Sequence, residues 1–188
     1  MSGAGTSEAA GVSVRPPAGR SPLIALVCVA VAACAPAPEP GYRDTAVPIS
    51  ATTRFSPAAF AGEWLVVEAF PTAFFPQCAS QHWDAMTEAE SPRLVVRCDG
   101  QPAFDVPMTV DPRGVLRLGS SDLDSDSRAL WVMWMDEEAR TAVIGTPSGE
   151  MGWILNRGPD LRADRRAAAR QIMAFNGYDV AGLQEVAP

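Results

Sequence analysis

The sequence predicts an all-β domain of eight antiparallel strands, arranged as a barrel or sandwich, with one C-terminal α-helix. Three observations predict it. Eight short apolar runs alternate with turn residues between positions 63 and 157, a helical pattern follows at 160–176, and two tryptophan motifs bracket the strands.

In order, the strands are expected near 63–70, 80–88, 93–98, 103–110, 114–119, 129–135, 140–146 and 151–157. Asp99-Gly100 and Asp111-Pro112-Arg113-Gly114 supply turn chemistry, and the polar stretch from Gly119 to Ser127 is the longest loop. Within it Asp122, Asp124 and Asp126 alternate, but the Gly and distal Glu of a calcium loop are missing, so the stretch reads as a solvated turn. The helix is expected to start at an Asp160 N-cap and to stop at Gly177. Leu161, Ala168, Ile172 and Phe175 form its expected buried stripe, leaving Arg162, Arg165, Arg166 and Arg170 in water. Leu183 to Val186 adds an edge strand.

The first bracket is Gly62-Glu63-Trp64, where a residue without a Cβ lets the chain turn tightly beneath a large ring. The second is Trp153-Ile154-Leu155-Asn156-Arg157, whose alternate residues Trp153, Leu155 and Arg157 share a strand face. Arg157 then reaches across to lie on Trp64, a stacking worth about 1 to 2 kcal/mol when partly desolvated. Such a clasp closes one end of a barrel.

With these residues in view, the chain resembles the lipocalins, and among them the bacterial lipocalin lipoproteins of the outer membrane. The Gly-x-Trp of strand A corresponds to Gly62 and Trp64; the Trp-Ile-Leu-x-Arg of the last barrel strand, followed by Pro159 and a helix, corresponds to Trp153 to Arg157. The resemblance covers roughly residues 55–188 and implies an eight-stranded up-and-down barrel with a C-terminal helix.

Arg15 and Arg20 precede the apolar run from Leu23 to Val31, which is short for a membrane span and suits a signal-peptide core. The run ends in Val31-Ala32-Ala33-Cys34, which resembles a bacterial lipoprotein processing site; the alternative is ordinary secretion after Ala33 or Ala35. Processing would leave residues 1–33 as a signal peptide and Cys34 as an acylated N-terminus bearing palmitate-like chains. One chain binds a membrane only marginally, at about 10⁴ M⁻¹, whereas two or more anchor stably. The absence of Asp at position 35 suits, by resemblance, the outer membrane facing the periplasm. Residues 34–54, opening with Ala35-Pro36-Ala37-Pro38-Glu39-Pro40, then read as a Pro-rich tether of up to ~60 Å, and residues 55–188 as the barrel domain. With Cys28 in the signal peptide and Cys34 acylated, Cys78 and Cys98 remain as a disulfide pair in an oxidising compartment, contributing roughly 3 kcal/mol. A redox dithiol or metal pair is the rival, disfavoured because the spacing is not Cys-x-x-Cys and the chain has a single His.

The net charge of −7 offers no basic stripe for nucleic acid and no attraction to anionic lipid. His82 stands without a nucleophile motif, and no phosphate loop or metal-spaced cluster is present, so neither an enzyme nor a cofactor or metal site is expected. An eight-stranded barrel either fills with side chains or holds one small ligand. Leu130 to Met135 is apolar on both faces, and Trp131, Met133 and Met135 are expected to line a pocket together with Val66 and Glu68, the carboxylate orienting a polar head or facing water at the open end. The bland reading is that these residues only fill the core. The resulting expectation is a membrane-anchored carrier of a small hydrophobic molecule, such as a fatty acid or lysophospholipid, in envelope lipid storage or transport. The second is a filled barrel acting through protein contact, as periplasmic metalloprotease inhibitors do by inserting the segment before the barrel into the protease cleft; they share an Ala-Gly-x-Trp opening and one disulfide, matched here by Ala61 to Trp64 and by Cys78 with Cys98.

Overall fold

The structure is a computed structural model that describes residues 41–72 and 78–187. The expected signal peptide (1–33), the expected acylation site Cys34 and residues 35–40 of the expected tether lie outside the described residues. Among the described residues, the strands are β1 (Gly62–Ala69), β2 (Gln81–Met86), β3 (Arg93–Cys98), β4 (Gln101–Asp111), β5 (Val115–Leu118), β6 (Ala129–Met135), β7 (Thr141–Gly145), β8 (Gly152–Asn156) and β9 (Gln184–Glu185). Each of β1 to β8 pairs antiparallel with its neighbours in sequence, and β1 pairs with both β2 and β8, which closes an eight-stranded barrel. The short β9 adds to β1 beyond that closure.

Strand bounds fall within a few residues of those expected, because period-two patterning and turn chemistry are local signals. Asp99 (φ 51°) and Gly100 (φ 77°) make the two-residue hairpin between β3 and β4, for which left-handed residues match the strand twist. Cys78 and Cys98 are joined, with Cα atoms 5.3 Å apart.

The two ends differ. At one end a single turn of helix, α1 (Pro57–Phe60), capped by Ser56 and started by Pro57, lies under the barrel and precedes Gly62. Gly62 takes φ 94°, a conformation open to glycine, and a Cβ there would meet Arg157 Nη1 at 3.3 Å. The Arg157 guanidinium lies 3.7 Å from the centre of the Trp64 ring, and it donates to the carbonyls of Ala59, Ala61 and Glu63, each at 2.8 Å. The expected clasp thus closes this end, tying α1 to β8. Burial lowers the pKa of Arg157 from its usual value. The other end, where β1 finishes and β2 and β8 start, is the mouth.

The C-terminal helix, α2 (Ala163–Phe175), starts later than expected: Arg162 is the N-cap residue and makes no side-chain cap, while Asp160 serves only through its backbone carbonyl. Its buried face is also rotated. Ala169 and Met173 are the fully buried residues; Leu161 and Ile172 flank them, Ala168 is half-buried, and Phe175 is 75% exposed. One position of phase is about 100° of rotation, enough to move a stripe from 168/175 to 169/173. The arginines are not all wet. Arg165 reaches Asp136 at 3.3 Å with little of its side chain exposed, and Arg166 and Arg170 both bind Glu68.

Residues 41–54, read from sequence as part of the tether, are docked along the outer wall instead. Arg43 is buried and donates to the carbonyls of Asn176 (2.7 Å) and Pro147 (2.9 Å), the Thr52 N–H donates to the Val132 carbonyl at 2.8 Å, and Tyr42 stacks on Phe70 at 4.6 Å. Tyr178 fastens the same region. Its hydroxyl accepts from the Thr146 N–H at 2.7 Å and faces the carbonyls of Met151 and Thr146, and burial pushes its pKa up to about 12. No helix among the described residues is long and apolar enough to cross a membrane.

Candidate functional site: a filled barrel with a cleft at its mouth

The inner wall decides what the barrel holds. Trp64, Val66, Trp83, Ala85, Leu94, Val96, Leu116, Leu130, Val132, Ile144, Trp153 and Leu155 face inward and are at most 1% exposed. A void large enough for water would leave area on the side chains that line it, so these inner side chains pack directly against one another. The three tryptophans are the largest of them. Trp64 and Trp83 are opposite in the β1–β2 register, Trp83 meets Trp153 edge-on at 5.0 Å, and Trp64 leans on Phe60 at 5.3 Å and donates its Nε1–H to the Phe60 carbonyl at 2.8 Å. Leu123, from the long loop, and Met151 are buried with this cluster near the mouth.

The inner wall is reached at the mouth, in a cleft of about 120 Å³ lined by Ala69, Phe70, Gln81, Trp153, Val186 and neighbouring residues of β1, β2 and β9. Small-molecule pockets commonly run to about 300–1,000 Å³, so the cleft formed by the described residues takes part of a ligand. A larger recess of about 630 Å³ lies on the outer wall, between residues 51–53, the β4–β5 turn and Trp131.

The five residues expected to line a pocket divide between the two faces. Val66 and Met135 belong to the inner cluster. Trp131 and Met133 pack on the outer cluster, beneath α2 and the docked N-terminal segment. The register of β6 against β7 shifts between Val132 and Trp134, so Met133 and Trp134 both face out before Met135 turns in. A bulge of this kind breaks the period of two, which is why Trp131, Met133 and Met135 do not share a face. The same correction applies to Glu68. The shift between Val66 and Glu68 places Glu68 opposite outward-facing Ile154, while Ala69 pairs with inward-facing Trp153. Glu68 is fully buried on the outer wall, where its carboxylate accepts from Arg170 Nε at 2.8 Å and from Arg166. It latches α2 to the outer wall of the barrel.

Other polar residues stay structural. His82 pairs with Leu65 and Arg97 on the outer face of β2. In the long loop, Asp124 accepts from the Ser127 backbone and hydroxyl and from the Asp126 N–H, bonds that hold its carboxyl below the usual range. Sequence reasoning missed Phe70 and Val186 as cleft residues because each sits at the ragged end of a strand.

Solved structures share this architecture. Insecticyanin from the tobacco hornworm Manduca sexta aligns with a TM-score of 0.58 at 14% identity, covering 78% of this chain and 86% of that one. Lipocalin 12 from rat epididymis aligns with a TM-score of 0.56 at 13% identity, covering 78% and 93%. No curated protein matches the sequence. The lipocalin-like domain family matches residues 58–188, the span of α1, the barrel and α2; barrels of this family generally bind small hydrophobic ligands and are generally carriers without catalysis. From the Gly62–Trp64–Arg157 clasp to the closed antiparallel barrel, this chain belongs to the lipocalin-like domain family.

Proposed function

We propose that the protein is a lipid-anchored lipocalin of the bacterial outer membrane, facing the periplasm, that grips part of a small hydrophobic molecule such as a fatty acid or lysophospholipid at its mouth. The observation that carries this reading is the contrast between a tryptophan-filled interior and a small cleft edged by Phe70, Trp153 and Val186. Apolar burial at roughly 25 cal/mol per Å² supplies the affinity, reduced by ordering costs, so binding is modest and reversible. That suits handing a lipid over within the envelope better than storing it. The anchor reading rests on the Val31-Ala32-Ala33-Cys34 sequence.

A filled interior also suits a barrel that acts by protein contact. The inhibitor form of that reading needs a free segment before the barrel, and from residue 41 onward that segment is already hydrogen-bonded to the barrel wall. Native mass spectrometry of the envelope-purified protein, titrated with a fatty acid and a lysophospholipid, separates the readings. Stoichiometric binding by the wild type that is lost in Val186→Arg, which blocks the cleft from its rim, supports the mouth site. A clean apo mass at every concentration overturns it and transfers the role to protein contact.

A further inference from the structure

Phe175 is the most exposed large apolar side chain among the described residues, at 75%, and it ends α2. Its neighbour Asn176 accepts the Arg43 Nε–H through its carbonyl at 2.7 Å, and the Asp44 N–H donates to the Gly177 carbonyl at 2.9 Å. The exposed ring therefore lies within a few residues of the point where the chain preceding Gly41 joins the fold. Gly41 itself abuts Ser148 and Gly149 in the β7–β8 turn, and Tyr42 stacks on the cleft residue Phe70, so this junction is at the mouth.

Because residues 41–54 are docked, the chain between Cys34 and the described fold is only the six residues 35–40, three of them proline. Covalent geometry alone limits the seven Cα steps from Cys34 to Gly41 to at most about 25 Å. Strand β4, with 11 residues at ~3.3 Å each and the usual barrel tilt, makes the barrel about 28 Å tall. A tether fixed at the mouth cannot then bring the α1 end to the surface that holds Cys34. It allows the mouth or the wall beside it, and the exposed aromatic is on that side.

We infer that the mouth end of the barrel docks on the lipid surface, with Phe175 inserted at the interface beside the anchor. This inference rests on the acylation of Cys34 proposed above. An aromatic ring gains at the headgroup level what it cannot gain in water, and a second small apolar contact added to an anchor fixes orientation without adding a span. The same end carries Asp99, Asp122, Asp126 and Glu150, all exposed, so a zwitterionic surface suits it better than an anionic one. With the mouth so placed, the cleft opens toward the lipid from which a ligand would come.

The test uses the full acylated protein, with acylation established by intact mass, in phosphatidylethanolamine and phosphatidylcholine vesicles whose acyl chains carry bromine. Phe175→Trp adds a reporter at the proposed contact, and Arg54→Trp adds one at the α1 end. The added emission of Phe175→Trp is expected to shift to the blue and to be quenched by the brominated lipid, while that of Arg54→Trp is not. Acylated protein in which the Phe175→Trp emission escapes quenching, or in which both reporters are quenched alike, overturns the docking face and leaves the anchor standing. A chain lacking acyl groups overturns the anchor and this inference together, and the native mass titration reports on the cleft separately.

Discussion

Replacing Trp83 by Ala tests whether the barrel is filled. Trp83 is fully buried, faces Trp64 across β1–β2, and meets Trp153 edge-on at 5.0 Å. A ring of that size buries about 200 Å², worth about 5 kcal/mol at 25 cal/mol per Å². Collapse of the neighbours would return part of that. Little collapse is expected, because Trp64 is pinned by Arg157 and by its bond to Phe60, and Trp153 lies in a fully buried strand. The expected loss is about 4 kcal/mol, within the usual range for such truncations and below the total stability of most domains. Urea unfolding followed by the remaining tryptophan emission measures it. The vacated volume, apolar and enclosed, should stay dry and accept a small aromatic such as indole, whose binding calorimetry reads directly. A loss under about 1 kcal/mol, or a Trp83→Ala protein that gains no indole binding, would refute the packed interior.

Three further outcomes follow from the geometry. Arg157→Ala should cost about 3 kcal/mol, since the cation–π contact and three short bonds to backbone carbonyls go together; Arg157→Lys should recover less than half, because an ammonium cannot reproduce the fork, and paired urea curves decide the matter. Arg166→Ala with Arg170→Ala strands the buried Glu68 carboxylate and should cost about 3–5 kcal/mol, whereas Glu68→Met should cost under about 1.5 kcal/mol because the two arginines turn to water; equal losses in thermal unfolding would count against the latch. For Tyr178 the folded pKa, about 12, exceeds the unfolded value near 10, so its contribution is constant below pH 10 and is lost as pH rises toward 12, by about 3 kcal/mol at most. Tyr178→Phe should be less stable at pH 8, by about 1–3 kcal/mol for the Thr146 and Met151 groups it leaves unpaired, and should lack that alkaline loss in stability–pH curves.

Much of the molecule was legible in the sequence because it depends on local chemistry. Strand positions, the Asp99-Gly100 hairpin, the Cys78–Cys98 pairing and the Trp64–Arg157 clasp follow from alternation, turn residues, cysteine arithmetic and a short motif pair. The inner position of Val66 was also readable. Part of what failed did so through one residue of phase. A bulge at Val67 sends Glu68 to the outer wall, and one at Met133 turns Met135 inward, away from Trp131 and Met133; no alternation pattern carries a signal for the extra residue. Trp131 and Met133 face out in regular alternation with Leu130 and Val132, on a strand apolar on both faces that gives no sign of which face is inner. The buried face of α2 turned by a similar step, since a helix surrounded by alanine and arginine has a weak stripe and takes its rotation from the Glu68 latch.

The sequence by itself therefore determined the class of fold, the closing clasp and the expectation of an anchored N-terminus. Tertiary structure alone decided that the inner side chains among the described residues pack against one another, that residues 41–54 dock on the barrel wall, and that Phe175 is exposed. The physical reason is that filling, docking and exposure depend on which side chains meet across strands far apart in the chain, whereas strand and turn formation depends on neighbours a few residues away.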